Sequence, residues 1–175
     1  MRIIAGRWRG RKLVTPAGRE TRPTSDRVRE ALFSMLASRL GSFEELRVAD
    51  LFAGSGALGL EALSRGAAHC VFVDSDRAAN DAIRANLAAL GASGEVLPGA
   101  VEHVRIPGAL DLAFLDPPYG SGLAAPALER LPLAPGGLVS VETGRDEAVA
   151  MDGFAEEAVR KYGKARITLL RRSGG

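Results

Sequence analysis

The sequence predicts a doubly wound α/β fold: a mostly parallel sheet of seven strands that closes on an antiparallel hairpin. Three observations carry this. From residue 47 onward, short apolar runs alternate with helical patterns. The runs are continuous rather than alternating with polar residues, which implies burial on both faces and parallel pairing. At the end, residues 155–162 and 165–170 flank Gly163-Lys164, the pattern of two strands joined by a tight turn.

The elements follow in order. Residues 2–15 mix basic and apolar side chains around Gly6 and Gly10, and are expected to form a small β-ribbon ended by Thr15-Pro16-Ala17-Gly18. Thr24 or Ser25 caps a first helix, with Asp26 in its positive first turn. Val28, Ala31, Leu32, Met35 and Leu36 give that helix its apolar stripe, and Gly41 ends it. Strands are expected at 48–52, 70–73, 95–97, 112–115 and 138–141, and helices at 57–64, 77–90 and 124–131. Residues 1–21 read as a basic appendage, and residues 22–175 as the main domain.

A chain of 175 residues with 46% hydrophobic and 25% charged residues is an ordinary folded domain. No apolar run approaches the roughly 20 residues that cross a bilayer, and the early arginines exclude a signal peptide, so the expected location is the cytoplasm. The lone Cys70 excludes an internal disulfide and reads as a buried thiol. His69 and His103 lack metal-ligand spacing, so no metal is expected. The net charge of +2 conceals a partition: +6 over residues 1–30, −10 over 31–159 and +6 over 160–175. An acidic body with basic ends fits a catalytic core with arms for a polyanion; the bland alternative is that the ends aid solubility.

In a doubly wound sheet, ligands bind beyond the carboxyl ends of the strands, where the strand order switches. Asp50, Asp74, Asp116 and Glu142 all stand at such ends. Four acids in one crevice repel unless cations or hydrogen-bond donors join them. An S-adenosyl cofactor supplies both, through its sulfonium, its ammonium and its ribose hydroxyls. Gly54-Ser55-Gly56-Ala57-Leu58-Gly59 also matches the dinucleotide fingerprint, with Asp74 lying 20 residues beyond Gly54. Asp50 argues against a nicotinamide enzyme, because a carboxylate there opposes a pyrophosphate but suits a methionyl ammonium. The expected cofactor site is therefore Asp50, Phe52, Ala53, Gly54, Ser55, Gly56, Asp74, Ser75, Ala100 and Val101, with Arg22 and Thr24 at its mouth. Asp74 is assigned the ribose hydroxyls. Backbone groups near Gly99 and Ala100 are assigned the adenine.

Asp116-Pro117-Pro118-Tyr119 is the expected catalytic corner. An exocyclic amine of a nucleobase is a poor nucleophile, because its lone pair is delocalised into the ring. The Asp116 carboxylate and the Pro117 carbonyl, aimed at the amine hydrogens, localise that lone pair. Proline stiffens the corner, and Tyr119 offers a ring for stacking. Glu142 is either a structural acid or a wall of the base pocket, the former being favoured.

These motifs resemble the class I, Rossmann-like S-adenosylmethionine-dependent methyltransferases that act on exocyclic amines. The stretches 3–13 and 22–33, with Lys161-Tyr162-Gly163, look like the RsmD family over essentially the whole chain. That resemblance implies methylation of guanine N2 in bacterial 16S ribosomal RNA, within an assembled or assembling small subunit, by an enzyme expected to be a monomer. Arg7, Trp8, Arg9, Arg11 and Lys12 then form a basic ribbon for RNA, with Trp8 either stacking on an unpaired base or anchoring the ribbon. The competing readings are a DNA adenine-N6 or cytosine-N4 methyltransferase, and a non-catalytic RNA-binding factor with a vestigial pocket.

Overall fold

The computed structural model describes residues 1–16 and 26–174, so Arg22, Thr24 and the expected cap of the first helix lie outside the described residues. The elements run α1 (Asp26–Leu40), β1 (Arg47–Leu51), α2 (Ala57–Ser64), β2 (His69–Asp74), α3 (Arg77–Leu90), β3 (Gly94–Pro98), β4 (Leu110–Leu115), α4 (Ala124–Arg130), β5 (Leu133–Gly144), β6 (Phe154–Tyr162) and β7 (Ala165–Arg172). The strands form one seven-stranded sheet in the order β3-β2-β1-β4-β5-β7-β6. The first five are parallel, and β7 is antiparallel to both β5 and β6.

The continuous apolar strands are buried on both faces, as parallel strands must be. Side chains alternate between faces with period two. Val48, Phe72, Leu112, Phe114 and Leu138 meet α1, α2 and α3 on one face through Leu32, Phe33, Leu36, Leu60 and Ile83. Ala49, Leu51, Val71, Val73, Ala113, Leu115 and Val139 meet α4 on the other through Ala124, Ala127 and Leu128, with Leu131 just beyond the helix. Helix α2 sits very close to the sheet. A Cβ built on Gly59 would lie 2.5 Å from a Phe72 ring carbon and 2.7 Å from the Cys70 sulfur, so only glycine fits there.

Three elements differ from the sequence reading. The buried face of α1 is Arg29, Leu32, Phe33 and Leu36, with Val28 and Met35 only half-buried, so the stripe is rotated toward a charged residue. Strand β5 is much longer than residues 138–141. Its start pairs Leu133 with Leu110 despite Pro135-Gly136, and its end pairs Gly144 with Ala165. The N-terminal ribbon has a single antiparallel bridge, Arg2 to Lys12, because its next amides turn elsewhere. Ile4 and Ala5 donate to the two carboxylate oxygens of Glu61 at 2.8 and 3.0 Å. Arg7 donates to the Ser64 carbonyl at 2.9 Å, and a Cβ on Gly6 would lie 2.0 Å from that same oxygen. The stretch is a clip pressed along α2, with Ile3 and Leu13 buried in the core.

Candidate active site

The strand order changes direction at β1, which has β2 on one side and β4 on the other. The crevice beyond their carboxyl ends is where such sheets bind ligands. Register brings the predicted acids together there. Asp50 pairs with Phe72 and with Phe114, so Asp74 and Asp116 each stand two residues further along and on the same face. Leu115 pairs with Val141, which sets Asp116 beside Glu142. The four acids therefore line one rim.

Asp74 is the hub of the expected cofactor half. Its carboxylate accepts from the Gly54 amide at 2.9 Å and from the Asp76 amide at 2.8 Å. Its carbonyl accepts from Asn80 Nδ2 at 3.0 Å and the Gly99 amide at 3.1 Å. An ionised carboxylate has about four acceptor positions, of which these amides use two. Ser75 is exposed beside it; Ala100 and buried Val101 follow Gly99 in a turn closed by His103 and Val104 amides on the Ala100 carbonyl.

The glycine turn leaves β1 through a left-handed Phe52 (φ 59°), followed by Gly54 (φ 59°) and Gly56 (φ 80°). A left-handed non-glycine residue costs of order 1–3 kcal/mol and persists where its surroundings hold it, often at functional sites. Here the Ala53 amide continues the ladder to Val73 at 3.1 Å, and Gly56 closes the turn on Ala53 at 2.8 Å. Nothing lies within 4 Å of where a Gly54 Cβ would stand, so the backbone faces open space. That cradle, with Asp74 beside it, fits a ribose-bearing cofactor.

Asp50 is 2% exposed, and one of its oxygens accepts the Gly59 amide at 2.9 Å. Burial pushes its carboxyl well above the usual carboxylate range. The Gly59 amide opposes the shift, and Asp116 and Asp74 add to it. The Cys70 thiol is fully buried and likewise raised by burial, so it is unsuited to nucleophilic work.

At the expected catalytic corner, the Asp116 amide continues the ladder to Leu51 at 3.3 Å, Asp116 is half-buried, Pro117 is buried, and Tyr119 is 37% exposed. The Tyr119 hydroxyl donates to Glu142 at 2.9 Å, so Glu142 belongs to the corner's wall. Glu147 accepts from the Gly120 amide at 3.0 Å and from the Gly144 amide at 3.2 Å, stapling the corner to the end of β5.

The expected RNA-binding residues sit elsewhere. Arg7 and Trp8 bond the backbone and hydroxyl of Ser64, the last residue of α2. Eight residues of helix place them about 12 Å beyond the glycine turn, toward the opposite end of the sheet. Trp8 is half-buried against the core, with the Arg7 guanidinium 4.6 Å from its ring centre. Arg9, Arg11 and Lys12 are exposed, and Arg11 reaches the Ala89 carbonyl at 3.0 Å.

Three polar side chains were not legible as structural centres. Glu61 and Arg29 are fully buried and 3.7 Å apart. Asn86, 2% exposed, pairs with Val14 through both its amide (2.8 Å) and its carbonyl (3.0 Å), and also donates to the Ser55 carbonyl at 3.2 Å. Among the described residues, no three His, Cys, Asp or Glu side chains form a metal site, and no helix is long and apolar enough to cross a membrane.

A sheet in this order, with β7 inserted antiparallel between β5 and β6 and a glycine turn after β1, defines the Rossmann-like fold of class I methyltransferases. Solved Escherichia coli yhhF superposes with a TM-score of 0.87 at 35% identity, covering 100% of this chain and 99% of that one. The chain belongs to the RsmD family: the family model described as Conserved hypothetical protein 95 matches residues 1–171. Ribosomal RNA small subunit methyltransferase D of Escherichia coli K12 is 46% identical over 126 residues, 70% of this chain but only 62% of that protein's length. The protein of the same name from Haemophilus influenzae is 39% identical over 158 residues, 84% of this chain and 80% of its own.

Proposed function

We propose that this protein transfers a methyl group from S-adenosylmethionine to the exocyclic N2 amine of a guanine in 16S ribosomal RNA, acting in the cytoplasm on an assembled or assembling small subunit. The observation that carries the reading is the register that sets Asp116 on the same rim as Asp50 and Asp74, with Tyr119 and Glu142 walling the same corner. The names carried by the relatives, ribosomal RNA small subunit methyltransferase D, support the substrate class.

The cofactor supplies an electrophilic methyl group on a positive sulfur. Asp74 holds the ribose hydroxyls with its two remaining acceptor positions. Asp50 faces the methionyl ammonium, and the backbone of residues 52–56 receives the chain linking the two. Val101 and the backbone around Ala100 border the adenine, with Ser75 at the pocket's edge. Arg22 and Thr24 are proposed at its mouth.

Asp116 and the Pro117 carbonyl accept the two amine hydrogens and turn the lone pair out of the ring plane. Pro117 and Pro118 fix the direction of both acceptors. Tyr119 stacks on the base, worth about 1–3 kcal/mol. As the new nitrogen–carbon bond forms, the sulfur–carbon bond would break to leave neutral S-adenosylhomocysteine, and the amine proton facing Asp116 would pass to that carboxylate or to water; most of the rate enhancement is proximity and alignment, so no strong general base is needed. Arg7, Trp8, Arg9, Arg11 and Lys12 contact RNA backbone away from the target base.

The test is methyl transfer from labelled cofactor to purified small subunits lacking this modification, with the product nucleoside identified. Labelled N2-methylguanine supports the assignment. Labelled N6-methyladenine, or no transfer to subunits alongside transfer to DNA, overturns it.

A further inference from the structure

We infer that the tip of the β6–β7 hairpin is a second RNA-binding surface, which holds the phosphates flanking the target base while that base occupies the Asp116 corner. This rests on the function proposed above and adds a surface to it.

The hairpin's place follows from register. Gly144 at the end of β5 pairs with Ala165 at the start of β7, and Tyr162 pairs with that same Ala165. The turn Gly163-Lys164 therefore projects past the carboxyl end of β5, the end that carries the catalytic corner. Contact with the corner is direct: a Cβ on Gly144 would lie 3.9 Å from the Tyr119 Cβ, and Glu147 ties the Gly144 amide to the Gly120 amide.

The tip is cationic and ordered. Arg145 follows Gly144 and clamps the turn twice, its amide donating to the Lys164 carbonyl at 2.8 Å and its guanidinium to the Gly163 carbonyl at 3.0 Å. That second bond uses one of five guanidinium donors and leaves the rest for phosphate. Arg145, Lys161 and Lys164 are all exposed, and Arg160 is exposed on the same hairpin. Asp146 is the exposed acid beside them, while Glu147 already accepts two backbone amides. The tip is thus net positive.

The clip cannot serve the same phosphates. Its turn is fixed at Ser64, about 12 Å along α2 from the glycine turn and toward the other end of the sheet. The phosphates on either side of a base at Asp116 lie at the corner's end, where Arg145, Lys161 and Lys164 stand. The basic C-terminal segment thereby acquires a role distinct from that of the basic N-terminal one.

The experiment compares the full chain with the triple variant Arg145→Gln, Lys161→Gln, Lys164→Gln, measuring affinity for unmethylated small subunits across a salt series, kcat/KM for methyl transfer, and cofactor affinity. Each lost phosphate contact lowers the salt slope by about one, so the slope falls by about two to three. At moderate salt, affinity and kcat/KM fall by about ten- to a hundredfold, with cofactor affinity unchanged. Arg84→Gln, on the outer face of α3, should leave the slope as it is. A triple variant with the wild-type slope and kcat/KM overturns this surface alone, as does an equal change from Arg84→Gln. A wild-type protein that neither binds nor methylates subunits overturns the proposed function and this surface together. Should the triple variant lose cofactor binding through misfolding, Lys161→Gln with Lys164→Gln leaves both Arg145 bonds intact and decides the question on a slope change of about two.

Discussion

Replacing Glu61 by glutamine keeps the shape of the side chain and should still loosen the N-terminal clip. Glu61 is fully buried and accepts from three donors: Ile4 N at 2.8 Å, Ala5 N at 3.0 Å and Arg65 Nε at 3.0 Å. Its charge also faces the Arg29 guanidinium, 3.7 Å away and 1% exposed. Glutamine has one acceptor oxygen. Either orientation turns its NH2 against a backbone N–H that is already a donor. The guanidinium loses a buried counter-charge and keeps the Arg2 carbonyl and the exposed Asp26. Removing one partner of a buried ion pair costs about 3–5 kcal/mol. In a domain of this size each kcal/mol lowers Tm by about 2–4 °C, so a drop on the order of 10 °C is expected. Thermal and urea unfolding measure it, and trypsin cleavage at Arg7, Arg9 and Arg11 reports clip release directly. Glu61→Ala, which leaves both amides and the Arg29 charge without their partner, should cost at least as much. A Glu61→Gln protein within about 1 kcal/mol of wild type, with the clip still protected, would refute the reasoning.

Three further outcomes follow from the site. Asp116→Ala should lower kcat by about 100-fold or more while leaving cofactor affinity near wild type, the size of effect seen when one pre-aligned polar group is lost; an active variant would end the lone-pair argument. Asp50 is raised in the fold, so the native state holds its proton more tightly than the unfolded chain, and stability falls as pH rises from the ordinary carboxylate value through the raised one. Asp50→Asn, which keeps an acceptor for the Gly59 amide, should flatten that decline; parallel unfolding curves for the two proteins would refute this. Asn86→Ala strands Val14 and Ser55 backbone groups, and should cost about 1–3 kcal/mol while weakening cofactor binding through the glycine turn. Unchanged melting with unchanged cofactor affinity would sink that link.

Much of the fold was legible because parallel strands advertise themselves. Val48, Val71 to Val73 and Leu112 to Leu115 have no solvent face to leave polar. Asp50, Asp74 and Asp116 were legible because each interrupts or ends an apolar run. Register then did what the sequence reading required and put them on one face. What stayed hidden has a common physical cause. Glu61, Arg29 and Asn86 lie on helices, where a polar residue ordinarily marks the solvent side, and nothing local reveals that main-chain amides from far along the chain will meet it. Arg29 hid the true buried face of α1 for that reason. Strand β5 is longer than its apolar run at 138–141 because its start, Leu133, pairs with Leu110 across a register shift that takes up Pro135-Gly136. Glu142 read as a structural acid because its partner, the Tyr119 hydroxyl, reaches it only across the sheet.

The clip's turn and the hairpin's tip lie toward opposite ends of the sheet. On the reading above, both grip the same nucleic acid. An RNA that reaches only one of the two grips forfeits the avidity of holding both.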